Sequence, residues 1–390
     1  FRCFCSYLFR QFSSSLRTVK NRKPSNHRHS PRCVLGLFQQ YVSLKSNSLR
    51  WVHQLSNLRN DMTRSFLKWA GGKYRVADAL LDVIGKNKPH GIRWNVEPGE
   101  RYHEPMLGSS SMFFRLKESD FINTRKKSFL SDINGIVILT MKIVSSNKHL
   151  PKLIDQLREL QELYPLDLPH PNPRNQTKMQ REKRMYYVKR RRLNELSKNL
   201  ESLTEPEIIE LASLTIFLNK TCFNGLWRMN SNGEFNTPEG SYAFPKNICQ
   251  ELVLSECNKL FSSSALKVQD WKKSLKSAKK GDLVYIDPPY MPLRIDDETF
   301  TDYFTEGFTI EDQIKLANTL AIAAKNGVRI IASNHDSEGN PNVREIYDRA
   351  AKSAGLNPPE IYSIDVSRTI NCKAEGRVKV KEVLIFMCPN

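Results

Sequence analysis

Gly281-Asp282-Leu283-Val284-Tyr285-Ile286-Asp287-Pro288-Pro289-Tyr290 is a short apolar run that ends on an acid, two prolines and a ring. A run of this length bounded by turn residues predicts a buried parallel strand. Asp287 to Tyr290 then stand at its carboxyl end, which is where open α/β sheets bind ligands. Two prolines fix φ and remove two backbone donors, so the turn is stiff and its carbonyl oxygens are open as acceptors. A carboxylate, free carbonyls and a ring face converging on one point suit a flat molecule that carries an amino group. The plain alternative is an acidic turn after a strand, and the neighbouring motifs have to decide.

Toward the amino terminus, Phe66-Leu67-Lys68-Trp69-Ala70-Gly71-Gly72-Lys73 leads into Val76, Ala79, Leu80, Val83 and Ile84 at helical spacing. Paired glycines before a helix let the backbone pass close to a ligand, and a helix amino terminus favours negative charge. Trp69 is placed to cover an aromatic ring, although simple capping accounts for the glycines as well. Glu104-Pro105-Met106-Leu107-Gly108-Ser109-Ser110-Ser111 reads as strand, small-residue turn and helix, the topology that approaches a nucleotide-like ligand. Next, Phe129-Leu130-Ser131-Asp132 reads as a second strand ending in an acid, before a helix over Ile136 to Ile143. An acid at that offset is placed for ribose hydroxyls, and it also fits a helix N-cap.

From Leu150 to about Tyr242 the pattern turns to helices and loops, with four prolines in the nine residues from Pro165 to Pro173. Lys178, Arg181, Lys183, Arg184 and Lys189-Arg190-Arg191-Arg192 form a basic row around Tyr186-Tyr187, suited to neutralising phosphates or to a solvated helix face. Glu207 to Leu218 reads as a buried helix. Asn224-Gly225 and Ser231-Asn232-Gly233 then flank short extended pieces, as in a projecting hairpin. Its aromatic residues Phe223, Trp227 and Phe235 interleave with Lys220 and Arg228, a mixture that suits wedging base steps and reading guanine.

Beyond the opening stretch, Thr309 and Asp312 form a capping box. The buried stripe of that helix is read as Ile314, Ala317, Leu320, Ala321 and Ala324. Gly327 ends the helix, and Val328 to Ser333 reads as a buried strand with Ser333-Asn334-His335-Asp336 at its exit. His335 is read as a loop residue with backbone partners rather than a general base. Ile361 to Val366 and Val380 to Met387 supply the last strands.

The formal net charge of +19 points to a polyanionic partner. About half of it lies in residues 1–61, where eleven Lys or Arg face the single acid Asp61. That basic, Ser-rich leader is expected to be poorly ordered and without chemistry. It reads as a transit peptide or, the reading we favour, as translated sequence upstream of a start at Met62. The eight cysteines show no CxxC pair and no zinc-finger histidine spacing, so reduced thiols and no metal are expected. No apolar run is long enough for a membrane span.

Taken in order, these motifs resemble the Dam-type (D12 class) DNA adenine-N6 methyltransferases. The matching stretches are Phe66 to Lys73, Glu104-Pro105-x-x-Gly108, Asp132-Ile133-Asn134, Leu218 through Pro238, Asp287 to Tyr290 and Ser333 to Asp336. The resemblance implies a Rossmann-like, seven-stranded, mostly parallel S-adenosylmethionine-dependent methyltransferase sheet formed by 62–149 and 246–390. It also implies an inserted helical DNA-recognition domain over 150–245, carrying the hairpin 223–238. The cofactor is S-adenosylmethionine, with contacts carried over to Trp69, Lys73, Glu104, Gly108, Asp132 and Asp287. Catalysis falls to Asp287, Pro288 and Tyr290, which would accept the amino hydrogens of a flipped adenine and stack on its ring. Phe223, Asn224, Leu226, Arg228 and Pro238 would contact duplex DNA, and the last three point to GATC as the target. The resemblance further implies a cytoplasmic, nucleoid-associated monomer, or a mitochondrial one if the leader is a transit peptide. Met106 and Ser110 stand where the family usually has Phe and a second Gly. If that turn needs positive φ, Ser110 is expected to crowd the methionine moiety.

Overall fold

The strand expected before Asp287 is β4 (Leu283–Ile286), buried at every residue. It lies at the centre of a seven-stranded sheet of order β3-β2-β1-β4-β5-β7-β6. The other strands are β1 (Tyr102–Pro105), β2 (Ser128–Asp132), β3 (Ser264–Val268), β5 (Arg329–His335), β6 (Glu360–Ser367) and β7 (Lys379–Met387). Strands β1 to β5 pair in parallel, with Tyr102 beside Leu283 and Leu283 beside Arg329. Only β7 runs antiparallel to its neighbours β5 and β6. This is the Rossmann-like, mostly parallel seven-stranded sheet that the resemblance implies. The computed structural model describes residues 65–69, 73–164, 177–240, 247–290, 308–336, 342–367 and 379–390. The basic leader, Gly71-Gly72 and the proline-rich loop lie outside the described residues.

Strand order reverses between β1 and β4, whose carboxyl ends lie side by side. That switch point opens a crevice above the sheet, the usual ligand site of such folds. The turn 106–110 leaves β1 and the tetrad 287–290 leaves β4, so one crevice receives both motifs.

Helices α1 (Tyr74–Asn87), α2 (Ser111–Glu118) and α3 (Gly135–Val144) follow the glycine-rich and acidic motifs as expected. Residues 150–245 supply α4 (Leu150–Leu163), α5 (Lys178–Glu182), α6 (Met185–Ser197) and α7 (Glu205–Thr221). Thr204 and Glu207 close a capping box on α7, and acids in its first turn suit the positive end of the helix dipole. With hardly a polar side that reaches water, α7 packs against α3, α4 and α6. It shares one apolar cluster with β1, β2 and α1 to α3. After α8 (Glu251–Phe261) and α9 (Trp271–Leu275), helices α10 (Ile310–Lys325) and α11 (Val343–Ala354) build a second cluster with β4, β5 and β7. The Thr309 and Asp312 capping box on α10 is present. Its buried stripe differs by one position: Ile314 is exposed, and Gln313 and Leu316 face inward instead. Among the described residues no helix is long and apolar enough to cross a membrane.

Candidate active site

Asp287 follows the last residue of β4 and is partly open, with 24% of its side chain exposed. Its Oδ1 accepts from Ser333 Oγ at 2.8 Å and lies 3.3 Å from Lys73 Nζ. Ser333 is held in turn by the Tyr285 hydroxyl at 2.8 Å. Burial pushes the Asp287 carboxyl up, while the Lys73 ammonium and the Ser333 bond pull it back. Asp287 Oδ2 and the Pro288 carbonyl accept no hydrogen bond among the described residues, whereas the Pro289 carbonyl is taken by Gln313 Nε2. Among the described residues the turn therefore leaves two acceptors open, on consecutive residues.

The ring of Tyr290 packs edge-on against His335, with centroids 4.4 Å apart. Its hydroxyl bonds Lys73 Nζ and donates to Glu382 Oε2 at 2.8 Å. Lys73 Nζ also lies 4.0 Å from the Tyr290 ring centroid and 3.4 Å from Glu382 Oε2. Two residues here differ from the sequence reading. His335 belongs to β5, buried between strands, rather than to a loop. Glu382, on β7, was not singled out, although a lone acid before Val383-Leu384-Ile385-Phe386 was the available signal.

At the turn after β1, Leu107 N donates to Ser131 O and Gly108 N to Asp132 Oδ2, each at 2.9 Å. These bonds lay the turn across the end of β2. Gly108 has φ +53°, and a Cβ built there would lie 3.2 Å from Trp69 Nε1, so turn and indole meet without room for a side chain. Asp132 also accepts from Asn134 N at 2.9 Å, and burial raises its carboxyl. The helix cap proposed for Asp132 belongs instead to Asn134, whose side chain accepts from Val137 N. The Asp132 carboxylate has more acceptor sites than its backbone donors Gly108, Asn134 and Ile133 fill, and free acceptors of this kind fit vicinal hydroxyls. Beside it Ile133 is 76% exposed, an apolar lip suited to a ring face. The residues present thus fit a nucleoside-bearing cofactor. Glu104 sits deeper, 3% exposed; burial raises its carboxyl to about 8 while the Tyr102 hydroxyl bonds it at 2.6 Å.

Ser110 does take positive φ, at 61°. Its side chain has no exposed area, and its hydroxyl donates to Met141 Sδ at 3.3 Å. The condition set for crowding, positive φ, is therefore met; the hydroxyl itself is turned onto Met141, and the departure from glycine costs about 1–2 kcal/mol of backbone strain.

The hairpin is held by bridges at Cys222–Glu239 and Met229–Phe235, with Asn224 and Gly225 both at positive φ in its first turn. Phe223 N donates to the Pro238 carbonyl at 2.9 Å, which sets these two exposed residues side by side. Asn224 and Arg228 are exposed and Leu226 is half-buried. Arg228 Nε donates to Asn236 Oδ1 at 2.9 Å, which fixes the guanidinium on the hairpin surface. Two of the residues read as interleaved point inward: Phe235 is 1% exposed, and buried Lys220 donates to Gln250. Trp227 stacks on Trp69 at 6.4 Å, joining hairpin and cofactor turn.

Much of the basic row is used internally. Arg184 pairs with Glu239 at 3.1 Å, Arg191 with Glu182 and Arg192 with Glu210 at 2.8 Å. Arg190 donates to the carbonyls of Asn236 and Thr237, so α6 serves as a mount for the hairpin. Lys183 and Lys198 remain exposed.

The sequence model of the D12 class N6 adenine-specific DNA methyltransferases matches residues 69–369. The type II methyltransferase M.MjaIII of Methanocaldococcus jannaschii is 31% identical over 325 residues, which is 83% of this chain and 98% of that protein. The DNA adenine methylase of Serratia marcescens is 30% identical over 323 residues, 82% of this chain and 97% of its own length. The type II methyltransferase M1.LlaDCHI of Lactococcus lactis subsp. cremoris is 28% identical over 324 residues, covering 83% and 94%. Adenine methyltransferases of this family take the methyl group from S-adenosylmethionine. A match across this much of the chain, on a sheet whose switch point gathers the family's motifs, means that the chain belongs to the D12 class N6 adenine-specific DNA methyltransferases.

Proposed function

We propose that this enzyme methylates N6 of an adenine flipped out of duplex DNA, within GATC. The observation that carries this reading is the pair of open acceptors, Asp287 Oδ2 and the Pro288 carbonyl, beside the ring of Tyr290. Adenine's exocyclic nitrogen is a weak nucleophile because its lone pair is delocalised into the ring, and a duplex hides it. Asp287 and Pro288 accept its two N–H bonds and favour a more tetrahedral nitrogen with an available lone pair. Tyr290 stacks on the base, and Asp287 stabilises the positive charge that develops on nitrogen. S-adenosylmethionine supplies an activated methyl group. Trp69, Gly108 and Asp132 hold it, with Lys73 and Glu104 shaping the crevice around them.

Recognition falls to the helical segment 150–245. Phe223 wedges beside the vacated pair, Asn224 supports that turn, and Leu226, Arg228 and Pro238 read the flanking bases. Nothing in this scheme calls for a second subunit. Expression from Met62 in cells that lack adenine methylation, followed by sequencing of modified bases, tests it. N6-methyladenine confined to GATC is the expected outcome. A different motif removes the GATC assignment, and absence of methyladenine removes the transfer reading.

A further inference from the structure

We propose that Glu382 is a positioning residue for methyl transfer: it clamps the Lys73 ammonium and the Tyr290 hydroxyl together, which keeps Asp287 Oδ2 open to the substrate amino group. This rests on the reading of the tetrad given above. Glu382 is 5% exposed and lies opposite His335 in the β5–β7 ladder. A carboxylate in that position is costly unless paired, and the four following residues are wholly apolar. Its pairing is specific. Oε2 receives the Tyr290 hydroxyl at 2.8 Å and faces Lys73 Nζ at 3.4 Å, while Lys73 Nζ lies slightly closer, 3.3 Å, to Asp287 Oδ1.

One ammonium is therefore shared by two acids, one just past the end of β4 and one on β7. With Glu382 neutral, Asp287 becomes the sole counter-ion of Lys73 among the described residues. The ammonium then moves onto Asp287 and competes with the substrate for its oxygens. The Tyr290 hydroxyl also loses its charged acceptor, and the ring loses the bond that fixes its tilt against His335.

Glu382→Gln keeps the shape and an acceptor for Tyr290 but removes the charge. Single-turnover transfer of labelled methyl to unmethylated genomic duplex DNA is followed across about pH 5 to 9. The expected result is a rate lower by about 10- to 100-fold with DNA binding changed less than about twofold. The groups that face Asp287 are Lys73 at the start of α1, Glu104 on β1, Tyr285 on β4, Tyr290 and Glu382. His335 on β5 faces Tyr290. Glu382 raises the Asp287 carboxyl, so its neutralisation moves the acid limb of the rate profile to lower pH. A rate within about twofold of wild type, or an acid limb that stays in place, overturns the clamp. Tyr290→Phe tests the other end and is expected to slow transfer about tenfold with an unchanged melting temperature. Full activity in that variant overturns the clamp even if Glu382→Gln does not fold. Asp287→Ala is the separate control, since turnover there removes the tetrad reading itself.

Discussion

Asn219 and Lys68 are joined twice: Lys68 N donates to Asn219 Oδ1 and Asn219 Nδ2 donates to the Lys68 carbonyl, both at 2.7 Å. Asn219 is fully buried near the end of α7, so the stretch that leads to Trp69 is fastened to the base of the hairpin. Gly225 completes the seam, because a Cβ there would lie 2.7 Å from Lys68 Cδ. Asn219→Ala takes the side-chain partner from three backbone groups, Lys68 N, Lys68 O and Gly225 O, and is expected to cost about 2–4 kcal/mol. Urea unfolding checks the value, and an unchanged midpoint would mean that the seam contributes nothing.

Asp287→Ala removes one of the two open acceptors and the partner of Ser333. Methyl transfer is expected to fall by about 10²- to 10³-fold or more, with duplex binding largely retained. Loss of DNA binding in parallel would instead indicate a structural role.

Arg228 is exposed on the hairpin, held by Asn236. If it reads guanine, Arg228→Ala relaxes target choice by about 1–3 kcal/mol. Competition between GATC duplexes and single-base variants measures this, and an unaltered preference takes Arg228 out of the readout.

Gly108→Ala places a methyl group 3.2 Å from Trp69 Nε1 at a backbone φ of +53°. Strain of about 1–2 kcal/mol is expected together with a displaced indole. Calorimetry should record weaker binding of S-adenosylmethionine by about tenfold. An affinity equal to wild type would show that the indole is not part of the cofactor wall.

Glu104 gives a pH signature. Burial holds its carboxyl at about 8 in the folded protein, against an ordinary value of 4.5. Between those values the folded state binds the extra proton. Its contribution is thus fully present below about 4.5 and is lost as pH rises toward 8. Glu104→Gln removes that titration, so the fall in melting temperature from acid to mildly alkaline pH should flatten. An identical slope in the variant would assign the titration to another group.

Local patterns carried much of this protein. Strands β4 and β5 and the capped helix α10 follow from apolar runs and end signals, because burial and capping repeat over a few residues. Asp287 to Tyr290, Gly108 and Asp132 were legible for the same reason: each stands at or just past the carboxyl end of a strand. Strand β3 was not, since Ser264 to Val268 lies at the sheet edge, half exposed, and shows no apolar run. Ile314 was misplaced because helical spacing does not say which side faces the sheet. Sequence-local charge likewise read as one basic row, yet Arg184 and Arg192 are matched by Glu239 and Glu210 from other elements. The crevice itself needed the tertiary structure. Lys73 and Glu382 are 309 positions apart, and they meet only because β7 inserts antiparallel beside β5 in a register that sets Glu382 against His335. Backbone propensity sets where a chain turns. The partner of a buried charge is set by which strands pair, and that is a property of the whole sheet.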